Sequence, residues 1–319
     1  MKKTLIALAA VAATGAAFAQ SSVTLYGVAD ASIVKTTDKS TVLSSSGVMN
    51  NGTSRWGVRG SEDLGGGLKA GFNFEDGLSL NTGASNLSGG NYFSRAAWMN
   101  LSGGFGELRL GRTLNPSFYS VAAWELTGTA NYSAVMSQFG GVTGGVRNSS
   151  QVAYTTPNMG GFSATLGYIM KGNNIVGATA ATATTPAVAG VERAKVDLNA
   201  IYRNGPVAVS LGYNKTQDQE KNVALGASYK VGPATIAGSV IDASGKGKGF
   251  TIGAGMQAGP VYLVVDVARD TDYKDTDLLL EAKYPLSKRT FAYAAFLRDG
   301  KGKTAMNVNN VGLGIRHNF

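Results

Sequence analysis

The sequence predicts an all-β fold: a transmembrane β-barrel of about sixteen antiparallel strands whose third long loop folds inward. Three observations favour it: the alternation of residue types in the last strand, the recurrence of that alternation along the chain, and the regular change between short and long connections. Residues of one parity in the last strand are mainly apolar: Val311, Leu313, Ile315, His317 and Phe319. The residues between them are polar or small, so one face of the strand is apolar. Such a face meets lipid in a membrane barrel and a core in a soluble sandwich, and the rest of the chain decides between these two.

Alternation with a period of two recurs along the whole chain, and each alternating run is a predicted strand. In order, the runs are Val23–Val34, Ser54–Glu62, Leu68–Leu80, Tyr92–Ser102, Gly106–Arg112, Gln151–Thr156, Phe162–Met170, Arg193–Arg203, Pro206–Lys215, Lys221–Val231, Pro233–Asp242, Lys248–Ala258, Pro260–Arg269, Thr276–Pro285, Arg289–Arg298 and Asn309–Phe319. Tight turns such as Asn204-Gly205 alternate with longer connections such as Lys35–Thr53. An up-and-down barrel with short periplasmic turns and long extracellular loops produces this rhythm, and it places both termini in the periplasm.

Aromatic residues collect near the predicted strand ends, as the interfacial girdles of a membrane barrel require. Those at the short-turn ends are Tyr154, Phe162, Tyr202, Tyr229, Tyr262, Tyr284, Phe291 and Phe319. Tyr202 and Tyr229 share parity with apolar residues of their strands, so they are expected to face lipid. The alternative is a set of core aromatics in a soluble β-domain.

The first nineteen residues have the features of a secretory signal peptide. Lys2 and Lys3 precede an apolar run, Leu5–Ala13, and Ala17-Phe18-Ala19 is a small-x-small cleavage sequence. We therefore expect residues 1–19 to be removed and residues 20–319 to form the barrel. The chain has no cysteine, so disulfide and thiolate metal sites are excluded. Its net charge of +9 suits anionic partners, and export argues against nucleic acid.

The connection Thr113–Asn148 breaks the rhythm, because connections beyond ~12–15 residues are uncommon and usually functional. It carries many apolar and aromatic residues: Phe118, Tyr119, Val121, Trp124, Leu126, Tyr132, Val135, Met136 and Phe139. A loop in solvent would not hold so many. We expect it to fold against the inner wall and narrow the lumen, and the alternative is an extracellular lid or a contact between subunits.

Strand parity predicts which arginines face the lumen. In the second predicted strand Trp56 and Val58 set the lipid face, so Arg55 and Arg59 are expected to point inward. Arginine stays charged at any working pH and binds anions well, which suits a fixed charge beside an aqueous gap.

Three further arginines complete the expected inward-facing set. Ala96 and Trp98 are assigned to the lipid face of their strand, which turns Arg95 inward. Arg109 alternates with two leucines, and Arg147 lies where the long loop rejoins the wall. The alternative for each arginine is a structural ion pair with a wall carboxylate.

Over essentially its whole length the chain resembles the general porins of Gram-negative outer membranes, most closely the trimeric porins of the β-proteobacteria. The segments that carry the resemblance are Ser22–Gly27, Ser54–Ala70, Phe105–Arg112, Arg147–Ser150 with Tyr154–Pro157, and Arg316–Phe319. The resemblance implies a sixteen-stranded homotrimer in the outer membrane, with the third loop forming the pore constriction. It also assigns the constriction cluster to Arg55, Arg95 and Arg147, and a loosely aligned acidic loop position to Glu125.

The implied function is passive diffusion of small hydrophilic solutes, with a preference for anions because the long loop holds one acid, Glu125, and Arg112 nearby. The expected partners are lipopolysaccharide and outer-membrane lipid, small anionic or polar solutes, and the barrel-assembly machinery through Phe319. No cofactor or metal is expected. The alternatives are a substrate-specific channel for organic acids or phosphate and, from another class, an outer-membrane enzyme or adhesin. The single histidine, His317, shares parity with lipid-facing residues, and no catalytic cluster can be built around it.

Two charged groups outside this scheme have open interpretations. The acids Asp270, Asp272, Asp275 and Asp277 form either an exposed acidic loop or oxygen ligands for a divalent cation. A basic set in the predicted outer loops attracts solutes, binds lipopolysaccharide or is simply solvated: Lys35, Lys39, Lys171, Lys246, Lys248, Lys274, Lys301 and Lys303.

Overall fold

The structure is a computed structural model that describes residues 21–85, 91–178, 188–244, 247–302 and 306–319. The expected signal peptide, residues 1–19, and the outer-loop lysines Lys246 and Lys303 lie outside the described residues.

The wall of the molecule is one closed antiparallel sheet. Its strands are β1 (Ser22–Thr36), β2 (Arg55–Gly65), β3 (Leu68–Gly77), β4 (Ala96–Gly103), β5 (Gly106–Leu114), β6 (Arg147–Thr155), β7 (Phe162–Ile169), β8 (Lys195–Asn204), β9 (Val207–Thr216), β10 (Lys221–Val231), β11 (Ala234–Ala243), β12 (Gly247–Ala258), β13 (Val261–Asp270), β14 (Asp275–Pro285), β15 (Thr290–Asp299) and β16 (Val308–Asn318). Each strand pairs with its neighbours in the chain, and β16 pairs with β1. The predicted sixteen-stranded barrel is therefore confirmed.

Strand β1 closes the barrel by dividing its length between two partners. Its first half pairs with β2, from Ser22 opposite Ser61 to Val28 opposite Arg55. Its second half pairs with β16, from Val28 opposite Asn318 onward. A three-residue strand, Val42–Ser44, also pairs with the second half of β1. These two ladders close the sheet, as a barrel without free edges requires.

Outer connections hold the remaining short elements. Between β7 and β8, Ile175–Val176 pairs antiparallel with Val191–Glu192. Among the described residues, no helix has the length and apolar content that crossing a membrane requires.

The two faces of the wall have opposite chemistry. On the outer face apolar side chains are open, for example Val23 at 70% and Leu313 at 60% exposed. On the inner face charged and polar side chains are buried, including Asp30, Asp197 and Asp277, each 0% exposed. This distribution inverts that of a soluble domain and fits a barrel with lipid outside and water inside.

The long connection between β5 and β6 fills part of the lumen with a hydrophobic core. Helix α1 (Pro116–Ala122) begins at Asn115, whose side chain accepts a hydrogen bond from the Phe118 N–H at 2.9 Å. Helix α2 (Ala134–Phe139) continues into a 3₁₀ turn, Gly140–Thr143. The predicted inward loop is confirmed: α1 packs on β8 and β9, and α2 packs on β13 and β14.

The core of this loop consists of its aromatic residues lying on wall glycines. Trp124 lies over Gly226 and Phe139 over Gly249, where a Cβ atom would collide with each ring. Both aromatic residues are nearly fully buried, as is Val135. Burial of a large apolar side chain contributes about 1.5–3 kcal/mol, so these contacts hold the loop against the wall.

Several predicted boundaries are wrong because local contacts override the alternation. Strand β4 begins at Ala96 rather than Tyr92, and the ladder of β6 begins at Arg147 rather than Gln151. The earlier start of β6 follows from a register shift opposite Gly111 to Thr113, which lets Arg147 pair with Leu114. The connection that enters the lumen therefore spans residues 115–146.

Three aromatic residues lie inside: Trp98, which was expected on the lipid face, and Tyr262 and Phe291, which were expected in the girdle at the short-turn ends of the strands. Trp98 pairs across the sheet with lumen-facing Asn73, and its ring lies 4.4 Å from the Arg109 guanidinium. The Cζ of Arg316 lies 5.9 Å from the centroid of the Phe291 ring. Tyr262 contacts Gly255 on the inner face. A guanidinium over a ring is favourable, so an inward aromatic residue is stable where an arginine covers it.

Candidate functional site

A lumenal cavity of about 480 Å³ lies between the wall and two inward-folded connections, and arginines dominate its charge. Its charged lining residues are Arg55, Arg95, Arg147 and Arg316, with no carboxylate among the lining side chains. Arg55 and Arg147 are the first residues of β2 and β6, Arg95 directly precedes β4, and Arg316 lies in β16. The described structure thus places the three arginines of the expected cluster together and adds a fourth.

A single glutamate, Glu75 of β3, organises two of these arginines. Its carboxylate accepts the Arg95 Nε–H at 2.8 Å and lies 3.4 Å from Arg55 Nε. Arg147 Nε–H donates to the backbone oxygen of Arg95 at 2.8 Å, and Arg55 Nη1 donates to the oxygen of Thr53 at 2.9 Å. Backbone acceptors hold the guanidinium groups in place without neutralising them.

The cluster carries a net positive charge. Within the described ranges Arg147 and Arg316 form no ion pair within 4.0 Å, while Glu75 is shared by the other two arginines. Arg95 is close enough to both Arg55 and Arg147 for mutual repulsion. Like charges held together beside a narrow aqueous gap raise the local potential by several kT and concentrate anions there.

The side chain of Arg95 points into the lumen for a reason other than the predicted strand alternation. Because Trp98 faces the lumen, an unbroken strand would have turned Arg95 towards lipid. The chain instead leaves strand geometry before Ala96, and the ion pair with Glu75 directs the side chain inward. Arg95 faces the lumen as expected. Ala96 and Trp98, however, lie on the inner face and not on the lipid face to which they were assigned.

The first long connection, residues 37–54, also enters the lumen, which the sequence analysis did not predict. Its Asn50 Nδ2–H and Gly52 N–H both donate to the buried carboxylate of Asp30, each at 2.9 Å. Tyr293 donates to the same carboxylate at 2.6 Å. A buried carboxylate needs hydrogen-bond donors, so an aspartate at an inward position of β1 was the feature of the sequence that could have indicated this contact.

Hydrogen bonds join the two inward connections to each other and to Arg316. Asn131 Nδ2–H donates to the oxygen of Gly47 at 2.9 Å. Asn51 accepts from Arg316 Nη1 at 2.9 Å and donates to the Tyr132 hydroxyl oxygen at 2.8 Å. Tyr132 in turn donates to Glu281, and burial raises the pKa of Tyr132, so it remains a neutral donor. Hydrogen bonds thus tie the two inward connections, Arg316 and the wall residue Glu281 into one unit beside the cavity.

The other predicted site residues lie elsewhere. Arg59 stacks on Tyr26 at 5.0 Å, and Arg109 pairs with Glu107 at 2.6 Å and with the Trp98 ring. Both lie nearer the end of the barrel that carries the short turns, and neither lines the arginine cavity.

Glu125, the expected acid of the constriction, serves the loop itself. Its carboxylate accepts from the Thr127 N–H at 3.0 Å, the Thr127 hydroxyl at 2.5 Å and the Thr129 N–H at 2.6 Å. It closes a turn and does not line the arginine cavity. Arg112, the arginine expected near the loop, bonds to the backbone oxygen of Ser94 at 2.5 Å and to the Ser149 hydroxyl at 2.6 Å.

A buried polar network on β8 anchors both ends of the third loop. Asp197 accepts from the Ser117 N–H at 2.8 Å and from Asn148 Nδ2 at 3.2 Å. Lys195 donates to the oxygen of Gly144 at 2.6 Å and to Asn148 Oδ1 at 2.8 Å. One wall strand thus fixes where the loop leaves the wall and where it returns.

The four aspartates that suggested an exposed acidic loop belong mostly to the wall. Asp270 ends β13, Asp275 and Asp277 lie in β14, and Asp272 alone is in the exposed connection. Asp270 and Asp277 are fully buried on the inner face, so the expected exposed loop is wrong for them. Across the described parts of the chain no three acidic, histidine or cysteine side chains are arranged to hold a metal ion.

Comparison with known proteins agrees with this geometry. The family model described as Gram-negative porin matches residues 4–304. Outer membrane porin protein 32 of Delftia acidovorans is 40% identical over 220 residues, which cover 66% of this chain and 59% of that protein. An outer membrane porin of Bordetella pertussis is 35% identical over 233 residues, covering 67% of this chain and 60% of that protein. The chain thus aligns with about three fifths of the length of these curated relatives.

Solved structures give the same fold over a larger share of the chain. The anion-selective porin from Comamonas acidovorans aligns with a TM-score of 0.73 and 29% identity, covering 94% of this chain and 100% of that chain. A loop-deletion mutant of OmpT from Vibrio cholerae aligns with a TM-score of 0.64 at 15% identity, which shows the fold alone. From the family match, the closed barrel and these relatives it follows that the chain belongs to the Gram-negative porin family and that its barrel lies in the outer membrane.

Proposed function

We propose that this chain is a passive channel for small hydrophilic solutes across the outer membrane, that Arg55, Arg95 and Arg147 form its constriction, and that the channel prefers anions. One observation carries the proposal: four arginines line a water-accessible cavity whose nearest ion-paired carboxylate is Glu75 alone. A fixed positive charge lowers the free energy of an anion in the gap and raises that of a cation. The name of the Comamonas relative, an anion-selective porin, supports the same direction.

The alternatives differ in what they require of the lumen. A substrate-specific channel for organic acids or phosphate uses the same arginines, but it would show saturable transport of one solute rather than graded transport of many. No site described above favours an outer-membrane enzyme or adhesin. Passive diffusion with a charge preference is the simplest function of the arrangement.

The test is the swelling of proteoliposomes in three solutes of equal size and different charge. With galacturonate, galactose and galactosamine at low ionic strength, we expect the rates to fall in that order, because only the charge interacts differently with the cluster. Liposomes without protein provide the baseline. Faster entry of galactosamine than of galactose would overturn the anion preference, and saturation for galacturonate alone would favour the substrate-specific channel.

The partners belong to the same proposal. We propose a homotrimer from the resemblance to trimeric porins, with Phe319, whose ring is 48% exposed on the outer face, recognised by the barrel-assembly machinery. Lipopolysaccharide is the proposed lipid partner because basic side chains with outward parity lie near the long-loop ends of the strands. They are Lys35, Lys215, Lys221, Lys248, Arg269 and Arg298. Phosphates of an outer leaflet are natural counter-ions for such a belt.

A further inference from the structure

A second polar recess opens in the inner wall near the short-turn end, apart from the arginine cavity. Its volume is about 240 Å³, and it is lined by parts of β1 to β4. Its floor is Gly71, which pairs with Ser61 on one side and Asn100 on the other. Gly71 has no side chain, and the Asn100 side chain lies beside it, with its oxygen 2.5 Å from where a Cβ atom would stand. The side chains around this position form the rim of the recess.

The rim carries two cations without a carboxylate partner. Within the described residues, Arg59 and Lys69 form no ion pair within 4.0 Å, and both side chains are exposed to the lumen. The Arg59 guanidinium lies over the Tyr26 ring, with its Cζ 5.0 Å from the ring centroid, and a guanidinium in such a contact still has N–H groups that can bind a carboxylate. These cations differ from Arg55 and Arg95, which share Glu75.

An indole ring forms another side of the recess. Trp98 lines it, whereas Arg109, which lies 4.4 Å from that ring, does not. Trp98 therefore borders the recess as well as contacting Arg109. The lining also includes the polar residues Thr24, Asn100 and Ser102.

The acids nearby do not cancel this charge. Asp63 lies opposite Lys69 in the ladder but accepts the Gly65 N–H at 2.9 Å and lies beyond ion-pair distance of the lysine. Glu107 pairs with Arg109 at 2.6 Å and accepts from Asn100 at 3.1 Å. Arg59 and Lys69 therefore give the rim of the recess a net positive charge, and Trp98 lies beside them.

We propose that this recess is a binding subsite for small aromatic carboxylates, in which Arg59 and Lys69 bind the carboxylate and Trp98 stacks on the ring. A guanidinium edge matches a carboxylate, and an indole favours a flat ring over a flexible chain. The inference rests on the proposed function only in that solutes must enter the lumen. It adds to that function a second site, apart from the constriction, at which aromatic carboxylates bind.

The experiment is single-channel recording of the full chain with benzoate added to the bath. Benzoate is expected to interrupt the current at concentrations at which acetate and benzamide do not, since acetate lacks the ring and benzamide lacks the charge. The double variant R59Q/K69Q is expected to weaken benzoate binding about tenfold, the loss typical of one charge-assisted hydrogen bond. W98L is expected to abolish the preference for benzoate over cyclohexanecarboxylate.

The matched control is R203Q/K230Q, which removes two exposed basic residues of inward parity at the same end of the barrel, on β8 and β10. It should bind benzoate as the unmodified chain does. Equal weakening in both double variants would overturn the subsite and indicate a general charge effect. Block by acetate equal to that by benzoate would remove the role of Trp98. In either case an anion-selective reversal potential in the unmodified chain would leave the proposed function standing.

Discussion

Replacing Arg55, Arg95 and Arg147 together by glutamine is expected to lower the anion-to-cation permeability ratio about tenfold, because potentials of several kT act over such a cluster. Glutamine can place its Nε2 where Arg147 Nε donates to the backbone oxygen of Arg95, so the local structure there should persist. The substitutions also leave Glu75 without its two ion pairs. Among the described residues, Arg316 is then the one arginine left in the cavity lining and Glu75 the one carboxylate beside it, so the reversal potential in a salt gradient should fall to near zero.

A fourth substitution tests whether Arg316 and Glu75 balance each other in the triple variant. Adding Glu75→Gln to the triple variant should restore a weak anion preference, since the constriction then carries only Arg316. R203Q/K230Q is the control, because it removes positive charge outside the cavity. A triple variant that kept the original anion preference would show that the selectivity arises elsewhere, for example at the basic residues near the outer rim.

Replacing Asp197 by alanine is expected to release the third loop and to give a larger, noisier single-channel current. The carboxylate holds the Ser117 N–H and Asn148, and its removal leaves the buried ammonium of Lys195 with neutral partners only. Removing one partner of a buried ion pair costs about 3–5 kcal/mol, which exceeds the contribution of any single apolar contact of the loop. Deleting part of the loop, residues 118–141, should raise the conductance further.

The control for the loop is Asp218→Ala, which removes an aspartate that pairs with Arg193 outside the barrel wall and is 66% exposed. An exposed pair of this kind is worth about 0–1 kcal/mol, so the current should not change. Retention of heat-modifiable gel mobility would show that each barrel is folded. Unchanged conductance in both Asp197→Ala and the loop deletion would mean that the loop lies outside the path of the current.

The sequence predicts the wall well because its pattern is repeated sixteen times and each strand has only two faces. It also predicts Arg55, whose neighbours Trp56 and Val58 are outward-facing, and it predicts that the aromatic connection enters the lumen. These features depend on local alternation and composition, which a single sequence contains.

The sequence does not predict contacts between distant parts of the chain. Trp98 was assigned to the lipid face, where an aromatic residue of a membrane strand usually lies. It lies inside because it contacts Arg109, which is on the next strand and not adjacent in the sequence. Arg316 has the correct parity, but it meets Asn51 only because β16 closes onto β1. Glu125 is an acid in the expected loop, yet backbone donors two and four residues further on hold its carboxylate. In each case the position depends on register and closure rather than on residue type.

The central claim, that fixed arginine charge makes this barrel an anion-selective channel, is tested most directly by the reversal potential of the unmodified chain in a tenfold KCl gradient. In dilute salt, where the Debye length is about 10 Å or more, the potential should have the sign of chloride selectivity. It should fall towards zero as the salt approaches 1 M, where the Debye length is about 3 Å. A potential of zero in dilute salt, or one with the sign of potassium selectivity, would contradict the claim.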